Sequence, residues 1–491
     1  MPINDRSKPR ASLLLSLAVL TTGGLTATPA LAQNFETHYG ETSTLDIGED
    51  IKAVRYCPGG GSIVAGTRRV PGFGSEALVT RVADNGLAIW QFAYRPGGGN
   101  ATTAQAITEI RFPRGFAITG AMLRGSTLYP YVMRLECNGQ PRWARMLDNT
   151  DPSHRAAGHD LVEVYDPAGQ GELVMVGDEI SPTPAGNQFG RIARLDGNGN
   201  VLWNHAYAAN NYPLGLRFHA VSGNRSATSV LDDLVVGGAI GAGNTWDFDR
   251  RALLFRVDSS GMPICNAFMG LPGPENEEFR GITRQDSPAH LGGSVLVGSR
   301  SDPLAIDSER VYMVRFERGF CLPLRQASWR DANFAAGGHD LIETTANPAA
   351  LPGAIAATGS IRGSTPNGNG FVLLAHPAGL FPVFGSIQFG NTGPRAETLV
   401  ALDQKQDRFV LAGSTRSDWA GAGDPLDFYM VQTTTGMRTT CAVPWQPLWQ
   451  PEQLPYERFE PAVKRIPFDA PVQVQVLPAH DMGYCCPLDP G

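Results

Sequence analysis

Charge is scarce in this chain: only 18% of its 491 residues are Asp, Glu, Lys or Arg, and no Lys/Arg-rich block occurs. At a formal net charge of −7, such a surface does not attract a phosphate backbone, which argues against a nucleic-acid partner. Long apolar runs are missing as well. Beyond residue 32 none reaches the ~18 residues of a membrane-spanning helix. Heptads and a Gly-X-Y period are absent, which excludes a coiled coil and a collagen. Also absent are His-Glu-x-x-His, Gly-x-Ser-x-Gly, a phosphate loop ending in Lys-Ser/Thr, and a Gly-x-Gly-x-x-Gly between strand and helix. What the chain has in plenty is turn formers: Gly 57 and Pro 37 make up about a fifth of it, against an average near 12%.

The N-terminus reads as a secretory address. Arg6, Lys8 and Arg10 precede the apolar run from Ala11 to Leu20, and Ala30-Leu31-Ala32 has the small-x-small form of a cleavage site. Residues 1–32 are expected to be removed after Ala32, leaving a mature chain that is secreted or periplasmic. Three bases and one acid leave with the signal, which takes the net charge from −7 to −9. All seven cysteines (57, 137, 265, 321, 441, 485 and 486) lie in the exported part, where disulfides are permitted. Their connectivity cannot be read from the sequence, although Cys441 with Cys485 or Cys486 could pin the tail.

The dominant feature is a repeat. A short apolar run ends in glycine seven times, at Gly66, Gly120, Gly177, Gly238, Gly298, Gly359 and Gly413, with spacings of 54 to 61 residues. A second marker keeps the same beat. Asn85-Gly86, Asn138-Gly139 and Asn198-Gly199 follow a β-type run and precede Trp90, Trp143 and Trp203, with weaker copies at Gly261, Gly319, Gly379 and Gly436. Each unit reads as four strands, and the Asn-Gly pairs predict type I′ turns between the third and fourth. One such sheet cannot bury both faces, whereas seven packed radially can. The predicted fold is an all-β, seven-bladed β-propeller of four-stranded blades over residues 33–442. The aromatics at four and eight residues past the turn glycine are expected to pack between blades. Phe35-Glu-Thr-His-Tyr39 repeats the spacing of Trp203 to Tyr207 and is expected to complete blade seven, closing the ring. Residues 443–491, with ten prolines, read as an irregular strap packed on the propeller.

The unit "apolar run–Gly … Val-x-Arg-Leu-x-x-Asn-Gly-x-x-x-Trp" resembles the β-propeller repeats, of roughly sixty residues, found in exported bacterial proteins. The resemblance covers residues 34 to about 442. Arg81, Arg134, Arg194, Arg256 and Arg315 match the basic residue of the third strand, while Leu374 and Gln432 depart from it. The resemblance implies a fold and an extracytoplasmic place, but no single activity.

Stacking the first strands of the seven units suggests a site. Gly158-His-Asp-Leu161 recurs as Gly338-His-Asp-Leu341 and nearly as Gly48-Glu-Asp-Ile51. That register selects Glu49, Gln105, His159, His219, Arg280, His339 and Glu397, predicted to ring one mouth of the central channel. Three chemistries suit such a ring. Its members can bond to neighbouring backbone and to the third-strand arginines; they can bind an anionic or polar ligand through His and Arg280; or His159, His219 and His339 can hold a divalent metal, with Glu49 or Glu397 as a base. Asp50, Asp160 and Asp340 come next in the strand and are expected to point to the other face. The sequence therefore predicts a monomeric, extracytoplasmic binding or scaffold protein that engages a protein, glycan or envelope component. The alternative is a hydrolase- or lyase-type enzyme at the channel mouth, metal-assisted or not; no cofactor is otherwise indicated.

Overall fold

The computed structural model describes the strands between Phe35 and Tyr484 and most of the turns joining them. Residues 1–34 and 485–491 lie outside the described residues, and with them the signal segment, Cys485 and Cys486; Cys441 does too. The described chain is all β. In blade three, Arg155–Tyr165, Gly171–Ile180, Gln188–Leu195 and Val201–Ala209 pair in chain order as an antiparallel meander. Seven such sheets follow one another. In the seventh, Glu397–Lys405, Arg408–Arg416 and Leu426–Thr434 are completed by Phe35–Tyr39, with Phe35 opposite Gln432 and Tyr39 opposite Phe428. The expected closure by an N-terminal strand is met.

The core lies between the blades. Seven buried apolar clusters occupy the seven interfaces, one each. The closing one joins Phe35, Tyr39, Phe428 and Met430 of blade seven to Ile51, Val64 and Val82 of blade one. Burial of aliphatic side chains stabilises by about 1.5–3 kcal/mol each, so ring closure rests mainly on these contacts. The repeated aromatics add direction. The hydroxyls of Tyr39, Tyr94 and Tyr207 donate to the carbonyls of Gly86, Gly139 and Gly261, the turn glycines of the next blade, at 2.7, 2.7 and 2.6 Å. The indoles of Trp90, Trp143 and Trp203 likewise donate to the third-to-fourth-strand turn of the next blade, at the carbonyls of Cys137, Gly197 and Ser259.

Those turns differ in type from the expectation. Gly86 N–H donates to Ala83 O and Ala83 N–H to Leu87 O, and Gly86 has φ 82° while Asn85 has an ordinary negative φ. The loop is thus a three-residue connection, a type I turn followed by a left-handed glycine, and a one-residue bulge shifts the pairing after Arg81. The Asp196 carboxylate ties one such turn together, accepting from Asn198 N–H, Asn200 N–H and Asn200 Nδ2. The third-strand arginines also serve this end of the blades. Arg81 donates to the carbonyls of Cys137, Pro58 and Gly60, and Arg194 to Ser259 O, so they do not reach the predicted ring.

The marker glycines are required by proximity. A Cβ at any of Gly66, Gly120, Gly177, Gly238, Gly298, Gly359 or Gly413 would lie 1.7 to 2.1 Å from a carbonyl oxygen of the blade's own first strand or, in blade two, of Thr103 just before it. The approach is close because that strand carries a β-bulge opposite the glycine. The pairing shifts between Gly48 and Asp50, Gly158 and Asp160, Phe218 and Ala220, Phe279 and Gly281, Gly338 and Asp340, and Leu399 and Ala401. In blade two, Gln105 N–H and the pairing partner Ala106 both address Thr119, the same arrangement.

The Pro-rich tail runs round the ring in the reverse direction. Ala442–Trp445 pairs with blade six, Leu448–Glu452 with five, Tyr456–Glu457 with four, Pro461–Arg465 with three, Ala470–Pro471 with two, Val474–Pro478 with one and Met482–Tyr484 with seven. The strap is thus a set of short fifth strands. Proline suits this place, because an outermost strand leaves one row of N–H groups without a ladder partner, and a proline-bearing edge resists further strand addition.

Two outcomes are expected. Gly177→Ala should destabilise the fold by about 2 kcal/mol or more, since backbone must shift to admit the methyl; a urea midpoint within error of wild type would refute the close-approach account. A chain ending at residue 441 should bare the outer edges of the blades and self-associate, which sedimentation velocity measures directly.

Candidate functional site at the central channel

The bulges aim one side chain per blade into the channel at the end where each fourth strand hands over to the next blade. Six of the seven predicted ring residues are brought together there: Glu49, Gln105, His159, His219, Arg280 and His339 all line one cavity of about 450 Å³. The seventh is not. In blade seven the bulge falls at Val400, and Glu397 pairs with Thr415 three residues earlier in the strand. Val400 lines the cavity in its place.

The ring residues bond largely to one another and to second-strand groups. His159 Nδ1 meets Gln105 Oε1, and its Nε2 lies 3.0 Å from Asp178 Oδ1. Arg280 is ion-paired with Glu278 and donates through Nη1 to His339 Nδ1 at 3.2 Å. His339 Nε2 is 3.1 Å from Ser360 Oγ. This last pair has the composition of a nucleophile and its base but the opposite polarity. Arg280 has no acceptor atom, so His339 Nδ1 must accept, Nε2 carries the proton, and the imidazole donates to the serine. The His219 ring lies tilted against the His159 ring, with centroids 5.4 Å apart. Burial lowers its pKa to about 4, so it is neutral at pH 7, and its Nε2 is closed to solvent without a hydrogen-bond partner among the described residues.

Among the described residues the three imidazoles are not gathered into one group. His339 sits beyond Arg280 with both nitrogens engaged. Among the described residues no three His, Cys, Asp or Glu side chains gather as a metal-holding group.

The aspartates that follow the ring correct a second expectation: Asp50, Asp160 and Asp340 line the same channel, because a bulge re-aims neighbouring side chains. Each joins two blades. One oxygen accepts from the following N–H of its own strand (Ile51, Leu161, Leu341), and the other accepts from Ile107, Val221 or Leu402 of the next blade at 2.8, 2.7 and 3.0 Å. Asp403 does the same between blades seven and one, accepting from Gln404 and Ala53, and pairs with Arg55 Nη2 at 2.9 Å. Lys52, the cation among them, lies 2.6 Å from Asp50 Oδ1. Burial opposes its charge, but Asp50, Asp340, Asp403 and Asp160 outweigh burial and raise its pKa.

In this shielded space burial raises the pKa of Glu49, Asp50, Asp160 and Asp340, whereas Asp403 is held below its ordinary value, against burial, by Arg55. Burial pushes Glu49 up to about 7, against the pull of His159 and Arg69. It pushes Asp160 to about 6 and Asp340 to about 7, against the pull of Lys52. A carboxyl raised in this way stabilises the fold below its unfolded pKa and loses that contribution as pH rises through the folded value. Glu49, Asp160 and Asp340 lose it between about pH 4 and pH 7. His219, depressed to about 4, works in the opposite sense, but it is one group against three. The melting temperature should therefore be higher near pH 5.5 than near pH 8, and Glu49→Gln should flatten part of that slope. A melting temperature that climbs steadily across the interval would contradict the assignment.

No family profile matches the chain, and no curated protein matches it in sequence. Among solved structures, Sqt1 from Chaetomium thermophilum is similar at a TM-score of 0.39 and 9% identity, over 81% of this chain and 99% of that one. A likeness of that size carries no argument about function.

Proposed function

We propose that the chain is an extracytoplasmic binding and scaffold module of the exported bacterial propeller-repeat type, whose partner is a protein. One observation carries this reading: the exposed large apolar side chains gather at one end of the ring. Ten are exposed among the described residues. All but Phe73 belong to connections between first and second or third and fourth strands, or to the first residues of a fourth strand. They include Tyr56, Phe112, Leu87, Ile89, Leu202 and Ile264. By the meander topology these positions share the turn end, opposite the polar mouth. Exposed apolar groups collected on one face mark an interaction surface. The mouth, by contrast, has most of its polar groups bonded internally.

An oxidising location is supported by two disulfides, Cys57–Cys137 and Cys265–Cys321. Each joins neighbouring blades, and both lie near the turn end. The two ends can be separated by capture from envelope extracts with three immobilised forms of the mature chain. Leu202→Asp with Ile264→Asp should lose the bound partner, while His159→Ala with His339→Ala should keep it. The reverse pattern would move the working site to the channel mouth and overturn this reading.

A further inference from the structure

At the turn end, where blades seven, one and two meet, a second cavity of about 580 Å³ adjoins the channel. Arg55, Tyr56, the loop Cys57 to Gly60, Arg114 and Lys405 line it. The corner is built rigidly. Glu109, reaching from blade two, accepts the backbone N–H groups of Arg55, Tyr56 and Cys57 at 2.7, 2.7 and 3.0 Å. Cys57 is bonded to Cys137 of blade two, and Arg81 holds the carbonyls of Pro58 and Gly60. From blade three, Glu163 accepts Arg111 N–H. None of these contacts is needed by the channel mouth at the opposite end.

The charges on this corner do not balance. Arg55 is paired with Asp403 and Lys405 with Asp84. Arg111 and Arg114 have no carboxylate partner among the described residues, on a chain whose net charge is −7. The Arg111 guanidinium lies 5.8 Å from the Tyr56 ring and 5.3 Å from the Phe112 ring. Those rings are 38% and 57% exposed. Exposed Tyr, Phe and Arg on a preorganised loop are the composition of an interface hot spot, and two unneutralised guanidinium groups select carboxylates.

We propose that this corner docks an acidic segment of a partner protein, with carboxylates on Arg111 and Arg114 and apolar side chains on Tyr56 and Phe112. The inference rests on the reading of the turn end as a protein-binding face and names the partner's chemistry. Because the loops are already fixed, little ordering accompanies binding, and the electrostatic share of the affinity weakens as salt is raised.

The test is selection of displayed random peptides on the full mature chain, followed by affinity measurement with synthetic peptides from the enriched pool. Peptides rich in Asp and Glu with interspersed apolar residues are expected, binding about tenfold more weakly to Arg111→Ala/Arg114→Ala and again in high salt. Arg114 is exposed, so Arg114→Glu should leave the fold intact and shift selection toward basic peptides. Neutral or basic peptides from the wild-type chain, acidic peptides indifferent to both arginines, or no enrichment over an unrelated propeller would each overturn the proposal. So would a dimer of this chain that Arg114→Glu dissociates, since the occupant would then be a second copy. If the peptides fail while envelope capture still depends on Leu202 and Ile264, this corner is refuted and the turn-end reading stands.

Discussion

The contact on which the rest of this molecule depends is the near-collision between a first-strand carbonyl and a second-strand glycine. A Cβ on Gly177 would sit 1.9 Å from Ala157 O, and the other six blades repeat the arrangement within a few tenths of an ångström. Only because that position is bare can the first strand bulge. The bulge in turn sends one side chain per blade into the channel and lets the next, as at Asp50, Asp160 and Asp340, reach the backbone of the following blade. A backbone constraint inside each sheet thus creates both the polar mouth and part of the lateral bonding that keeps seven sheets in a ring.

Lateral bonding is divided by height along the blades. Near the mouth it is carboxylate to backbone N–H, and in the middle it is apolar contact. At the turn end it is Tyr and Trp to the turns of the next blade, reinforced by two disulfides. Burial raises Glu49, Asp160 and Asp340 to between about 6 and 7, so the channel holds several acids that titrate near neutrality. At the turn end the apolar side chains and the unpaired Arg111 and Arg114 face outward on loops already fixed. The two ends therefore differ in kind: one is bonded largely within itself, and the other exposes apolar and cationic side chains. The tail adds a fifth strand to each blade and leaves prolines at the rim.

Much of this was legible from spacing alone. The marker glycines, the Trp and Tyr four and eight residues past the turns, and the outlying Phe35–Tyr39 strand identify blade number, strand order and closure, because each repeats a local requirement at a constant period. The errors arose where a local pattern has two solutions. Blade seven has apolar residues at both Leu399 and Leu402, so the rule of one apolar residue two places past the ring fits Glu397 and Val400 equally well. Spacing did not arbitrate, because the hairpins between first and second strands differ in length. The Asn-Gly pairs suggested type I′ turns, but the loops are one residue longer, and only the glycine is left-handed.

By itself, then, the sequence determined the architecture, through periodic residues whose reasons are local: a bare Cα for a close approach, an aromatic for a wedge, a glycine for a left-handed turn. Tertiary structure decided which side chains share a space. Strict alternation puts Asp160 on the opposite face from His159, and one extra residue in the strand brings them to the same channel. Nothing in the order of the chain announces that Glu109 will clamp the loop at Cys57, that Arg81 will close it, or that Arg111 will lie on Tyr56 and Phe112. These meetings depend on the rotation of one blade against the next, a quantity set by packing across interfaces and not by any single repeat.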